Sequence, residues 1–172
     1  MYKQVIANYK NLQMKQNIFL TILFFIGINL HAQKSGIEFF LVENYKNLNS
    51  DCKYCFDLET AELNQVPILS DEDVENFNWK NQQIILTEKG KHKFTDLKIP
   101  LSGLPTVITL NGEKIYSLWF WNAVSSFSCD RVYTFPTIDF KIKFGLPKTF
   151  SFGTDPRFDE KLRRYVISKY NQ

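Results

Sequence analysis

The sequence predicts an α+β domain, a small antiparallel or mixed sheet with short helices packed on one face, for which a ferredoxin-like arrangement is one candidate. Three observations carry that expectation. Thr106 to Phe120 reads strand, Asn-Gly turn, strand; capping residues stand at Ser70 and Thr87 between apolar runs; and apolar residues recur at helical spacing from Phe158 to Tyr170. Strands that interleave with short helices belong to the α+β class.

Taken in order, the chain opens on a leader. No acidic residue precedes Glu38, whereas Lys3, Lys10 and Lys15 precede an apolar run of 13 residues, Ile18 to Leu30, followed by His31-Ala32-Gln33. A basic stretch, a short apolar core and a small exit residue are the layout of a secretory signal peptide. The run is shorter than the ~20 apolar residues that cross a bilayer. Residues 1–32 are therefore expected to be a signal peptide cleaved after Ala32, and Met14 opens a more compact version of it. The absence of cysteine near the exit argues against a lipid anchor. Residues 33–172 then form a single exported domain of 140 residues, with no repeat, linker or further membrane span. The periplasm or the extracellular space is the expected compartment. The composition, rich in Asn, Lys, Ile and Phe, has an AT-biased bacterial look.

The leader also accounts for the charge. It holds three of the 21 Lys and Arg residues and none of the 18 Asp and Glu, so the exported part has 18 of each. A neutral domain offers no electrostatic footprint for nucleic acid.

Within the domain, Gly36 to Val42 is a β-rich run that leads into a polar stretch around Cys52-Lys53-Tyr54-Cys55. Pro67 to Leu69 is extended. Ser70 followed by Asp73 resembles a capping box, and the acids at 71, 72, 73 and 75 suit the positive end of a helix. Val74 and Phe77, three apart, would give that helix one apolar face. Gln83 to Thr87 reads as a strand, and Thr87 can cap a helix from Glu88 to Leu97 with Phe94 and Leu97 inward. Thr106 to Leu110 and Glu113 to Phe120 form a hairpin, because Asn111-Gly112 supplies the positive φ angles of a two-residue turn. Val132 to Phe135 is a further strand. Asp155-Pro156 offers a cap and a first-turn proline for a last helix bearing Leu162, Tyr165, Val166 and Tyr170.

In that order, PILSDEDVENF, QIILTEKGKHKFTDL and PTVITLNGEKIYS (residues 67–117) resemble the head subdomain of the first periplasmic region of the SecD/SecDF translocation factors. Leu69, Ser70, Asp73 and Val74 match its first element, Leu86, Thr87, Gly90 and Phe94 its second, and Asn111 and Gly112 its hairpin turn. The resemblance covers about a third of the chain and implies a compact α+β head. It does not imply translocation, since the many membrane helices and the proton path are missing, and Leu118-Trp119-Phe120-Trp121 replaces a run of small residues.

Function is less legible. His92, the one histidine outside the leader, lies between Lys91 and Lys93 as a solvated residue would, and no catalytic motif surrounds it. Asp71, Glu72, Asp73 and Glu75 lack the alternating oxygens and central glycine of a calcium loop. No catalytic residue, metal or cofactor is therefore assigned. Cys52 and Cys55 form a local disulfide, a free pair or a redox pair, and Cys129 reads as a buried apolar residue. Tyr116, Leu118 and Phe120 point to one strand face, and Ser117, Trp119 and Trp121 to the other. Exposed, Trp119 and Trp121 would be a binding platform for an unknown protein or small ligand; buried, as aromatics more often are, they would be core. The expected role is a non-catalytic binding or interaction module of the bacterial envelope. The alternative is a thiol–disulfide protein using Cys52 and Cys55.

Overall fold

Side-chain alternation along the central hairpin organises the architecture. A computed structural model describes residues 36–48 and 50–171; the expected leader lies outside them. Eight strands run in chain order, β1 (Ile37–Asn44), β2 (Glu62–Leu63), β3 (Val74–Asn78), β4 (Gln83–Leu86), β5 (Leu104–Leu110), β6 (Glu113–Phe120), β7 (Cys129–Thr134) and β8 (Lys143–Leu146), with helices α1 (Glu88–His92) and α2 (Glu160–Tyr170). Six strands form one mixed sheet in the order β2-β1-β5-β6-β7-β8, and β3 and β4 form a separate two-stranded ribbon. Only β6 and β7 run parallel in the main sheet. This is the α+β class. It is not the β-α-β-β-α-β alternation of a ferredoxin-like fold, because β5 follows β1 in the sheet with a ribbon and a one-turn helix between them.

The expected hairpin is β5–β6. Leu110 pairs with Glu113 across Asn111 and Gly112, whose φ angles of 52° and 83° close the turn. The Asn111 side chain also accepts the Gly36 amide at 2.8 Å, which fixes the start of β1 against the turn. On one sheet face, Ile37, Phe39, Ile108, Tyr116, Leu118, Phe120 and Val132 meet the β3–β4 ribbon, Phe94, Phe140 and the α2 residues Leu162 and Val166.

Two local expectations are corrected. Ser70 does open a turn, and its amide and hydroxyl both donate to Asp73 Oδ2 at 2.8 and 2.9 Å. The turn is a single 3-10 turn, Asp71–Asp73, after which Val74 enters β3 instead of a helix. The Asp73 carbonyl that a helix would use accepts the Thr87 amide at 2.9 Å, and a bulge between Val74 and Asn76 lets Val74 and Phe77 both point inward. A bulged strand thus imitates helical spacing. The second correction concerns α2. Its N-cap is Asp159, which accepts the amides of Lys161 and Leu162, four residues beyond the expected Asp155. Asp155 is instead clasped by Arg157, whose Nε and Nη2 donate to it at 2.9 and 2.7 Å. Thr87 caps α1 as expected, receiving the Gly90 amide, though α1 stops at His92.

Candidate functional site

The second face of the sheet is covered by the segment after β1. There Lys46 to Asp57 doubles back as an irregular hairpin, with Asp57 donating to Lys46 at 2.9 Å and Leu48 to Cys55 at 3.2 Å. Its tip is closed by a Cys52–Cys55 disulfide. Tyr54 and Phe56 from this hairpin, with Ala61, pack on Val42, Val107, Trp119, Trp121, Cys129 and Tyr133. Trp119 and Trp121 are therefore not a surface platform. They are 4% and 0% exposed, and the rings of Tyr54 and Phe56 stand edge-on to Trp119. The physical reason is that both faces of the sheet have a cover: helix and ribbon on one, the disulfide hairpin on the other.

Three polar clasps hold that cover down. The Asp130 carboxylate on β7 accepts the amides of Lys53 and Tyr54 at 2.8 and 3.2 Å. Trp119 Nε1 donates to the Tyr54 carbonyl at 3.0 Å. Lys114 Nζ donates to the carbonyls of Leu58, Glu59 and Ala61 at 2.9, 3.0 and 2.8 Å. Cys129 lies beneath as a buried free thiol, as its sequence context suggested, and burial pushes its pKa up to about 12. No helix begins at the Cys52-x-x-Cys55 stretch, which runs through turns, so no helix dipole acts on either sulfur.

The remaining reactive groups are dispersed. His92 is exposed at the end of α1. Glu72 pairs with Lys89 at 3.0 Å, Asp73 with Lys93 at 2.6 Å, and Asp71 with Lys169 and the Tyr165 hydroxyl. These acids serve as ties between elements. Among the described residues, no group of three or more His, Cys, Asp or Glu side chains could hold a metal ion, and no helix is long and apolar enough to cross a membrane.

A different feature stands at the β8 edge. Asn81, Tyr133, Lys141, Lys143, Lys148 and Arg157, with Phe144 and Gly145, line an open concavity of about 460 Å³. Three separated segments meet there. The β3–β4 turn is tied to the strand leading into β8 by the Ile142 amide, which donates to the Gln82 carbonyl at 2.8 Å, and this brings Asn81 beside Lys141. Arg157 Nη1 donates to the Ile142 carbonyl at 2.8 Å from the other side. Gly145 has a φ of +75°, and a Cβ there would lie 2.8 Å from that of Ser151. Its bare backbone lets the 3-10 turn Lys148–Phe150 fold back over β8. Lys143 pairs loosely with Asp139 at 3.5 Å and Arg157 is held by Asp155. Lys141 and Lys148 meet no carboxylate among the described residues.

In comparisons with protein-family models, curated proteins and solved structures, nothing matched. The site has to be read from its own chemistry. The alternation Lys141-Ile142-Lys143 was the one available sequence signal for it; Asn81, Lys148 and Arg157 join only through the fold.

Proposed function

We propose that this chain is an exported, non-catalytic binding module of the bacterial envelope, with the β8 concavity as its binding site. The observation that carries the reading is the pair Lys141 and Lys148, two ammonium groups left without acidic partners at the rim of an open hollow. Its volume falls in the ~300–1,000 Å³ range of small-molecule sites. Export is supported by the leader pattern and by the Cys52–Cys55 disulfide, since such bonds persist in oxidising compartments. That bond is read as a staple for the hairpin over Trp119: Cys52 is buried and no helix end activates the pair. The alternative, a thiol–disulfide protein using Cys52 and Cys55, has less support for the same reasons. The resemblance to the translocation-factor head rests on caps and turns and contributes no activity.

The reading is tested by melting the purified full chain in the presence of fractionated envelope extract. A ligand that binds only the folded state at about 100 times its Kd adds ~2.7 kcal/mol of stability, a rise of roughly 10 °C for a domain of this size. Concentration-dependent rises confined to particular fractions are expected. If no fraction moves the melting temperature, or if the active component is chemically converted, the binding-module reading falls.

A further inference from the structure

Resting on the binding-module reading, we infer that the β8 concavity takes a small organic phosphate monoester. Four cations, Lys141, Lys143, Lys148 and Arg157, line or rim the hollow, and two carboxylates, Asp139 and Asp155, pair with them. The balance is two positive charges with no counterpart, which matches one doubly charged phosphoryl group. Lysines act on phosphate as compact point charges that need no bidentate geometry, so the flexible Lys141 and Lys148 stems can converge on one ligand from the strand side and the turn side. The charge of Arg157 is already matched by Asp155, and its Nη1 is tied to the Ile142 carbonyl. Its role is to position the wall.

The rest of the lining asks for an organic body behind the charge. Phe144 belongs to the lining, with its ring packed on the helix-side core under the Arg131 guanidinium, and the exposed Asn81 offers a carboxamide. Burial, followed by the fields of Cys129 and Asp139, raises the pKa of Tyr133, so its hydroxyl remains a neutral donor. A free inorganic anion would leave the Asn81 carboxamide and the Tyr133 hydroxyl without a ligand group to meet. A neutral sugar or alcohol would leave both ammonium groups unmatched.

The experiment is calorimetric titration of the full chain at low ionic strength with glycerol 3-phosphate, inorganic phosphate, acetate and glycerol. Glycerol 3-phosphate is expected to bind most tightly, inorganic phosphate more weakly, and acetate and glycerol not measurably. Raising the salt to physiological strength should weaken the phosphate signals. The double variant Lys141→Gln/Lys148→Gln should bind glycerol 3-phosphate at least about tenfold more weakly. Lys98→Gln, on the exposed chain before β5, should bind as the parent does. Neither lysine of the double variant holds an ion pair among the described residues, so a melting temperature close to the parent's is expected and separates lost binding from lost fold. Equal binding by the double variant and the parent, or no binding of either phosphate, would overturn the inference. If the phosphates fail while an extract fraction still raises the melting temperature, the binding module survives and its ligand is of another class. If both fail, both readings fall.

Discussion

Replacing Trp119 by alanine is the perturbation that bears hardest on the architecture. The indole is buried under Tyr54 and Phe56, and its Nε1 holds the Tyr54 carbonyl at 3.0 Å. Truncating a buried aromatic to alanine costs about 3–5 kcal/mol, and a carbonyl left without its donor adds about 1–3 kcal/mol where it stays buried. Against a typical total of ~5–15 kcal/mol, this loss would bring the domain close to unfolding at room temperature. Trp119→Phe separates the two contributions, keeping most of the apolar contact while deleting the N–H; a cost of about 1–2 kcal/mol is expected. The assay is urea unfolding followed by far-ultraviolet circular dichroism. With a slope of about 2 kcal/mol/M, the alanine variant should lose about 2–4 M from its midpoint and the phenylalanine variant less than ~1 M. An alanine variant whose midpoint stays within about 0.5 M of the parent would refute the claim that the hairpin and the tryptophan row form a second core.

Three further outcomes follow from the same structure. Burial raises the pKa of Asp73, but hydrogen bonds from Lys93 and Ser70 outweigh it and leave the carboxyl below its ordinary value; its stabilisation is therefore present above the unfolded value of ~3.9 and lost as pH falls through the folded one. The urea midpoint should drop between pH 7 and pH 3, and drop less in Asp73→Asn. Gly103→Ala should cost about 2–4 kcal/mol in thermal melts, because φ is +82° and a Cβ would stand 2.6 Å from the Trp121 ring; a melting temperature equal to the parent's would mean that loop and ring are not in contact. Thiol titration should find no reactive sulfur in the native protein, one in urea and three in urea with reductant; a native thiol that reacts at neutral pH would contradict the burial of Cys129.

The elements that could be read from the chain are those whose cause is local. Asn111-Gly112 dictates a two-residue turn whatever surrounds it, and Thr87 caps α1 through its own hydroxyl three residues upstream of Gly90. The two rows of β6 could be separated for the same reason, since alternation is a property of the strand itself. Where a distant partner decides, local signals mislead. Val74 and Phe77 carry helical spacing, yet Thr87 takes the carbonyl that the helix would need. Asp155 and Asp159 both have the chemistry of a cap, and Arg157 removes the first from the competition.

The tryptophan row shows how far this reaches into function. Whether Trp119 and Trp121 bind a ligand or fill a core depends on a cover that starts only a few residues after β1 and contains the disulfide. In sequence that cover is polar and unstructured in appearance, NYKNLNSDCKYCFDLE. Two of its apolar residues, Tyr54 and Phe56, alternate along one arm of a hairpin whose pairing runs through Asn47 and Phe56, and both reach the core. With the tip closed by Cys52 and Cys55, and Asp130 receiving two of its amides, sixteen mostly polar residues can shield two indoles. The tryptophan row is thereby withdrawn from solvent, and the open hollow at the β8 edge is lined by cations. The even balance of 18 Lys and Arg against 18 Asp and Glu over residues 33–172 hid it, and acids such as Asp71, Glu72 and Asp73 are engaged by lysines of other elements. Lys141 and Lys148 take no part in that pairing, and the fold sets both at one hollow.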